Sequence, residues 1–467
     1  MNQTAKTYGE AEVWRAMTRA ERFLKSKPAS ELLQMVGKTV KSASSCQYID
    51  KAVIQSSYGG GKIGATDDLL AGKGLFYITE QGKLYLDCTA GHYQMTWGYN
   101  HPQLTAAILK GIQNGIVTDN HSNIPQWPVK RLAQKLVQLA NPDLPELRQG
   151  DFSKIIKSKT RLNTVLLGIA TGSVACSSAL KIMLLQHEQL QKPGPAVMVV
   201  LKGNYHGTDM IAQNLRGMWK RYVRNIKVVT VEPNDYDSLK KAFERYGSRI
   251  AGFWAEPVMM NREAILIEKR YLQLARQLTT RVKALLAIDE IQTCFWTPDI
   301  FMYKQYGIVP DIVIAGKGMT AGFHPLAAII YRRPLDMLAQ YDSISTNGNA
   351  ALAAYVALAN LELIEKNTEN INVTQKYYQQ KLGELAREFP ERIARVNGQG
   401  LLTGLKFHRR EDALLFHKKC LAAGLWLRIH AYYPRHSTIL CKFALAVTKK
   451  VVDSFCRQLQ RLLESTD

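Results

Sequence analysis

The stretch PDIVIAGKGMTAG, residues 310–322, runs a short apolar strand, Ile312 to Ala315, into a single lysine, Lys317, set between Gly316 and Gly318. A strand-end lysine by itself only snorkels to water; the flanking glycines imply that something comes close to this backbone and that the lysine touches it. About 28 residues earlier, AIDEIQ ends another apolar strand on Asp289 and Glu290. Strict alternation puts Asp289, Ile291 and Thr293 on one face and Glu290 and Gln292 on the other. A carboxylate at the end of a buried strand requires a cationic partner, because unpaired burial is expensive. A third strand ends at Gly172 and opens a helix through TGSVACSSALK. There Gly172 and Ser173 offer an anion free N–H groups, a hydroxyl and the positive end of a helix dipole, unless Ser173 serves only as an N-cap. An amine for imine formation, an acid to keep a ring nitrogen protonated and a phosphate cradle are together what pyridoxal 5'-phosphate requires.

These groups need a scaffold that brings three strand ends together. Seven apolar stretches read as strands: 164–172, 195–203, 226–233, 249–258, 284–291, 311–318 and 325–333. Most are continuously apolar, as strands buried on both faces are. Interleaved with helices, they predict an α/β fold: a large domain with a mainly parallel seven-stranded sheet between helices, and a smaller α+β domain built from both termini. Ligands in such a sheet sit at the carboxyl ends of the strands. Residues 10–37 read as helix with a break at KPASELL, 75–91 as a hairpin turning at Gln81-Gly82, and 350–385 as helix. The glycine-rich YGGGKIG, 58–64, lacks a following lysine-serine pair and reads as a connector rather than a phosphate loop. The domain expectation is 1–95 for N-terminal helices and hairpin joining the small domain, 96–345 for the large domain, and 346–467 for an interdomain helix and the C-terminal small domain.

The 467 residues are 46% hydrophobic and 21% charged, the composition of an ordinary globular chain. No apolar run approaches the roughly 18–20 residues of a membrane span, and the N-terminus has neither the apolar core nor the cleavage site of a secretory signal, so a cytoplasmic protein is expected. Seven scattered cysteines, none in a CxxC pair, point away from a disulfide framework or a metal site. The net charge of +22 is spread along the chain without a run of like charge or a nucleic-acid motif. It suits the steering of anionic substrates, or of an acidic carrier protein that delivers a tethered substrate.

The pattern AIDEIQT…PDIVIAGKGMTAGFHPLAAII resembles the signature of class III aminotransferases, pyridoxal-phosphate enzymes of fold type I. The resemblance extends to ATGSVACSSALK, KGNYHGTDM, FWAEPVMM, STNGNAALAAYVAL, YLDCTAGHYQMTWGYNHPQL and NGQGLLTGLKF, covering roughly residues 70–455. It implies that Lys317 forms the Schiff base and that Asp289 pairs with the pyridine nitrogen. It further implies that Gly172 and Ser173 hold the phosphate, that Tyr205 and Ile291 cover the two ring faces, and that Gln292 lies near the phenolic oxygen. The last role requires the strand to have ended and turned before Gln292. Thr346 would reach the phosphate from the partner subunit of a homodimer with shared sites. His206, in the same motif as Tyr205, reads equally as a hydrogen-bonded strand-end histidine.

The sequence departs from the family pattern where substrate selection is expected. Val174 and Cys176 replace a glutamate and an asparagine, and Cys294 and Trp296 replace two glycines, which should reshape that loop. Lys442 stands where many members carry the arginine that grips the substrate carboxylate; a lysine is a point charge, not a planar fork. Arg428 and Arg435 are alternatives, and Glu256 either pairs with whichever cation is present or faces solvent. Glu256, Trp97, Trp296, Lys442 and Arg435 are therefore the expected substrate-side residues. The expected function is a PLP-dependent aminotransferase moving an amino group between an amine or amino-acid donor and a keto or aldehyde acceptor. The alternative is other carbanion chemistry on the same fold: a racemase, mutase, decarboxylase or carbon–carbon bond-forming enzyme.

Overall fold

A computed structural model describes residues 10–43, 69–118, 124–141, 155–343, 348, 350–431 and 433–465. The YGGGKIG segment and Thr346 lie outside the described residues. The chain divides into two compact units, one of residues 93–96 and 102–372, the other of residues 1–92, 97–101 and 373–467. The helix Ala351–Lys366 falls in the larger unit.

The larger unit is built on the seven expected strands: β1 (Leu162–Leu166), β2 (Ala196–Leu201), β3 (Ile226–Val231), β4 (Ile250–Ala255), β5 (Leu285–Asp289), β6 (Ile312–Ala315) and β7 (Ala328–Arg332). Their order across the sheet is β1-β7-β6-β5-β4-β2-β3, with β7 antiparallel to both neighbours and the rest parallel. β2, β4, β5 and β6 are buried at every residue, which is why they read as unbroken apolar runs. β3, at one edge, is the least buried.

Helix α1 (Gly172–Gln189) packs Ala175, Ala179, Leu180, Ile182 and Met183 into the core formed with the sheet. It lies so close to β4 that a Cβ on Gly252 would meet the Met183 sulfur at 2.1 Å. Helix α2 (Ala351–Lys366) buries Ala351, Ala353, Ala354, Val356 and Ala357, small residues that let neighbours approach. Among the described residues, no helix is long and apolar enough to cross a membrane.

The smaller unit holds helices Glu10–Ser26 and Ala29–Met35, the hairpin Phe76–Thr79 and Leu84–Asp87 turning at Gly82 (φ 81°), and the closing helix Lys449–Glu464. Leu69–Lys73 adds an antiparallel strand to the hairpin. The strands Ile393–Gln399, Leu402–Phe407, Thr438–Cys441 and Arg428–His430 form a four-stranded antiparallel sheet.

At the sheet edge away from the ends of β5 and β6, Asp311 ties three neighbouring strands. Its nearly buried carboxylate accepts from Leu286 N in β5 (2.7 Å) and from Arg276 (2.8 Å), and pairs with Arg332 at the end of β7 (2.5 Å). Removing this carboxylate would leave the buried Leu286 N–H without its acceptor and take the ion-pair partner from two part-exposed guanidinium groups. Asp311→Ala is expected to lower unfolding free energy by about 3 kcal/mol, read as a drop in urea midpoint with little change in slope; a midpoint within error of the wild type would refute this role.

Candidate active site

Asp289 is the last residue of β5. Glu290 N still bonds Ile314 O at 2.8 Å, but Thr293 N and Cys294 N then both turn back to Glu290 O, at 3.0 and 2.7 Å. The strand has therefore ended before Gln292, and the turn brings Asp289, Ile291 and Gln292 to line one cavity. Glu290 goes the other way, where its fully buried carboxylate accepts from Tyr303 N (2.6 Å) and the Thr293 hydroxyl. Adjacent carboxylates thus take different tasks: one faces the cavity, the other anchors the loop at Met302–Tyr306.

The Asp289 carboxylate is 4% exposed. Oδ2 lies 2.7 Å from His206 Nδ1 and accepts from the Cys176 thiol at 3.4 Å, while Oδ1 accepts from Ile291 N at 3.0 Å. Burial and the Asp289 charge push the Cys176 thiol well above its ordinary range, so it remains a protonated donor. The departure from asparagine at this position therefore keeps a donor on the carboxylate. His206 is fixed in turn by a tilted contact with Trp254, ring centres 5.2 Å apart.

Lys317 adopts φ 41°, a left-handed conformation uncommon for a residue with a side chain, and it is held there by its surroundings. Asn360 of α2 donates to Gly318 O (2.8 Å) and Met319 O (3.0 Å), and the Cys294 thiol donates to Gly316 O at 3.5 Å. A Cβ on Gly318 would meet Thr96 at 2.9 Å, Cys294 O at 3.1 Å and Trp296 Nε1 at 3.3 Å. What crowds the backbone beside Lys317 is thus the chain itself. Cys294 and Trp296 pack fully buried beneath this turn, Trp296 is not among the residues lining the cavity, and the left-handed positions of their loop are Phe295 and Ile300.

The helix end completes the cavity. Thr171, not Ser173, is the N-cap of α1, its hydroxyl accepting from Val174 N at 3.4 Å. That leaves the Ser173 hydroxyl facing the neighbouring loop, where it accepts from Thr208 N at 3.0 Å. Gly207 has φ 124°, and a Cβ there would lie 2.5 Å from Ser173 Oγ; a Cβ on Gly172 would lie 2.4 Å from Ile291 Cδ1. Gly172, Ser173, Tyr205, His206, Gly207, Asp289, Ile291, Gln292 and Lys317 line one cavity. The Lys317 ammonium stands 5.9 Å from the Tyr205 ring centre. Helix N-terminus, hydroxyl, carboxylate, amine, one aromatic ring and one aliphatic side chain match phosphate, ring nitrogen, aldehyde and the two ring faces of pyridoxal phosphate, so the donor set fits that cofactor.

Glu256 is 3% exposed and accepts from Tyr205 N at 2.9 Å, so it does not face solvent. Burial, offset by the nearby His206 and reinforced by Asp289, carries its carboxyl up to about 7. Trp97, Lys442 and Arg435 belong to the smaller unit. Trp97 packs against His101 (5.5 Å between rings), Lys442 has no exposed surface, and Arg435 is exposed. Arg428 lies beside the His92 ring, 3.1–3.2 Å from its nitrogens.

The model of the family "Aminotransferase class-III" matches residues 68–463. This chain belongs to the class-III aminotransferases. It is 26% identical to the mitochondrial ornithine aminotransferase of Arabidopsis thaliana over 341 residues, 70% of this chain and 66% of that protein. It is also 26% identical to the putrescine aminotransferase of Pectobacterium atrosepticum over 78% of this chain and 76% of that protein. The solved ornithine aminotransferase of Toxoplasma gondii superposes with a TM-score of 0.73 at 20% identity, covering 98% of each chain. A second structure of that enzyme is described as holding PLP at partial occupancy in its active site. The fold is that of the type I aminotransferases, and pyridoxal phosphate is the cofactor of this class-III aminotransferase.

The buried Glu290 gives the aminotransferase a pH-dependent stability. Burial raises its carboxyl from 4.5 to about 7, partly opposed by the bonds from Thr293, Tyr303 and Met302. Between those values the unfolded chain ionises Glu290 while the folded protein keeps it protonated. Stability is therefore fully present below about 4.5 and lost as pH climbs to about 7, by about 3 kcal/mol for this group. Urea unfolding at several pH values should show a shallower decline in Glu290→Gln than in the wild type; equal declines would rule the assignment out.

Proposed function

We propose that this aminotransferase moves the terminal amino group of a linear diamine or ω-amino acid to a keto or aldehyde acceptor. The observation that carries the site assignment is that Lys317, Asp289 and the N-terminus of α1 line a single cavity. The donor class is supported by relatives named for ornithine and putrescine.

Bound pyridoxal phosphate supplies an aldehyde that condenses with amines and a protonated ring that draws electron density from the donor carbon. Asp289, oriented by His206, Cys176 and Ile291 N, keeps the ring-nitrogen proton in place. The Lys317 amine would act as the base that takes a proton from the donor carbon and as the acid that later returns it. Tyr205 and Ile291 cover the two faces and limit water. Ser173 and the amides at the start of α1, which line the cavity, would hold the phosphate, and Gln292 would be the partner of the phenolic oxygen. The active form is a homodimer with shared sites, as the resemblance to the family implies.

Lys317→Ala is expected to lose the visible absorption of the holoenzyme and all measurable transfer. Asp289→Asn should retain bound cofactor but slow transfer from putrescine by about a hundredfold or more. Transfer that survives loss of Lys317 would remove the assignment. For the dimer, sedimentation of the holoenzyme should give twice the chain mass, and a fully active monomer would contradict it.

A further inference from the structure

We propose that the larger unit carries a second ligand site, at the strand ends opposite the active site, that takes the phosphate of a small phosphomonoester. A cavity of about 390 Å³ opens where β5 starts at Leu285 and where Asp311 leads into β6. Because β7 runs antiparallel to β6, its last residue, Arg332, comes to the same end. Arg276 and Lys283, from the helix Lys269–Arg281 and the turn after it, complete the charged lining. No residue of this cavity lines the one that holds Lys317.

Three cations line the cavity against one carboxylate, so two positive charges are left over. Asp311 takes Arg276 on Oδ2 (2.8 Å) and Arg332 on Oδ1 (2.5 Å), which sets the two guanidinium groups side by side. Arg332 Nε is buried and meets no acceptor among the described residues. Lys283 is exposed, and no carboxylate pairs with it among the described residues. The excess extends to Lys192, which donates to Ile250 O (2.7 Å) and Val282 O (3.1 Å); burial and the Lys283 charge carry its ammonium down to about 8. A helix C-terminus normally repels an anion. Here the carbonyls of Leu278, Thr279 and Thr280 are already taken by the N–H groups of Val282, Ala284 and Lys283, at 2.9–3.2 Å.

These features select the ligand. A phosphomonoester carries roughly two negative charges near neutrality, on one compact group that guanidinium forks fit. A dicarboxylate spreads the same charge over two ends, and only one of them could meet the paired guanidinium groups. The Thr280 hydroxyl, also in the lining, accepts from Arg276 Nε at 3.2 Å and fixes the direction of that fork. Leu190 and Val309, 39% and 54% exposed, give the cavity apolar walls suited to a short carbon skeleton.

The test uses the holoenzyme, whose cofactor occupies the phosphate cradle of the active site, and equilibrium dialysis at fixed ionic strength. Labelled glycerol 3-phosphate should bind saturably, and more tightly than inorganic phosphate or succinate. Lys283→Glu should weaken that binding about tenfold or more, because a charge-assisted contact is replaced by repulsion. Lys227→Gln removes an exposed charge outside the cavity and should leave binding unchanged. Glycerol 3-phosphate should also raise the urea midpoint of the wild type and not that of Lys283→Glu. Absence of saturable binding, equal affinity in wild type and Lys283→Glu, or an equal loss in Lys227→Gln would each overturn the site. Succinate that binds as tightly as the ester would overturn the phosphate assignment, and inorganic phosphate that does so would overturn the role of the apolar walls.

Discussion

The site depends on one buried carboxylate at the end of a central strand. Asp289 is almost without water, and an isolated charge there would be prohibitive. The fold meets this with three donors from three places: His206 from the loop after β2, Cys176 from α1, and Ile291 N from the turn that follows. Each of these is also a positional constraint. His206 brings Tyr205 and Gly207 with it, Cys176 brings the N-terminus of α1, and Ile291 brings Gln292. Satisfying one charge therefore assembles most of the cavity.

The second constraint is the turn that carries Lys317. A lysine with positive φ between two glycines would not hold its direction unaided. The Asn360 amide pins the carbonyls after it, and Cys294 and Trp296 fill the space beneath. The substitutions for glycine in the Cys294–Trp296 loop do not force a strained backbone at those positions. The left-handed residues are their neighbours Phe295 and Ile300, and the bulk added by the thiol and the indole becomes support for the lysine turn.

Much of this was legible in the chain itself. Four of the seven strands, buried at every residue, stand out as continuous apolar runs, and Lys317, Asp289, Gly172 and Ser173 are polar or glycine residues at or just past strand ends. Gln292 was expected near the cofactor only if the strand stopped early, and the Glu290 carbonyl, by accepting from Thr293 N and Cys294 N, is what stops it. Short strands such as Leu69–Lys73 and Ile393–Gln399 carried no such signal, because each contains residues exposed on one side and glycine within it.

Sequence alone determined the residue types and their order: an amine, an acid and a helix start, each following an apolar strand, with the unbroken apolar runs that mark strands buried on both faces. Only the tertiary structure decided which groups touch. Thr171 rather than Ser173 caps α1, Glu256 turns inward to Tyr205 N, and Trp296 goes beneath Lys317. Those outcomes rest on contacts between residues distant in the chain and on turn geometry at single positions, and neither leaves a periodic trace in the order of amino acids.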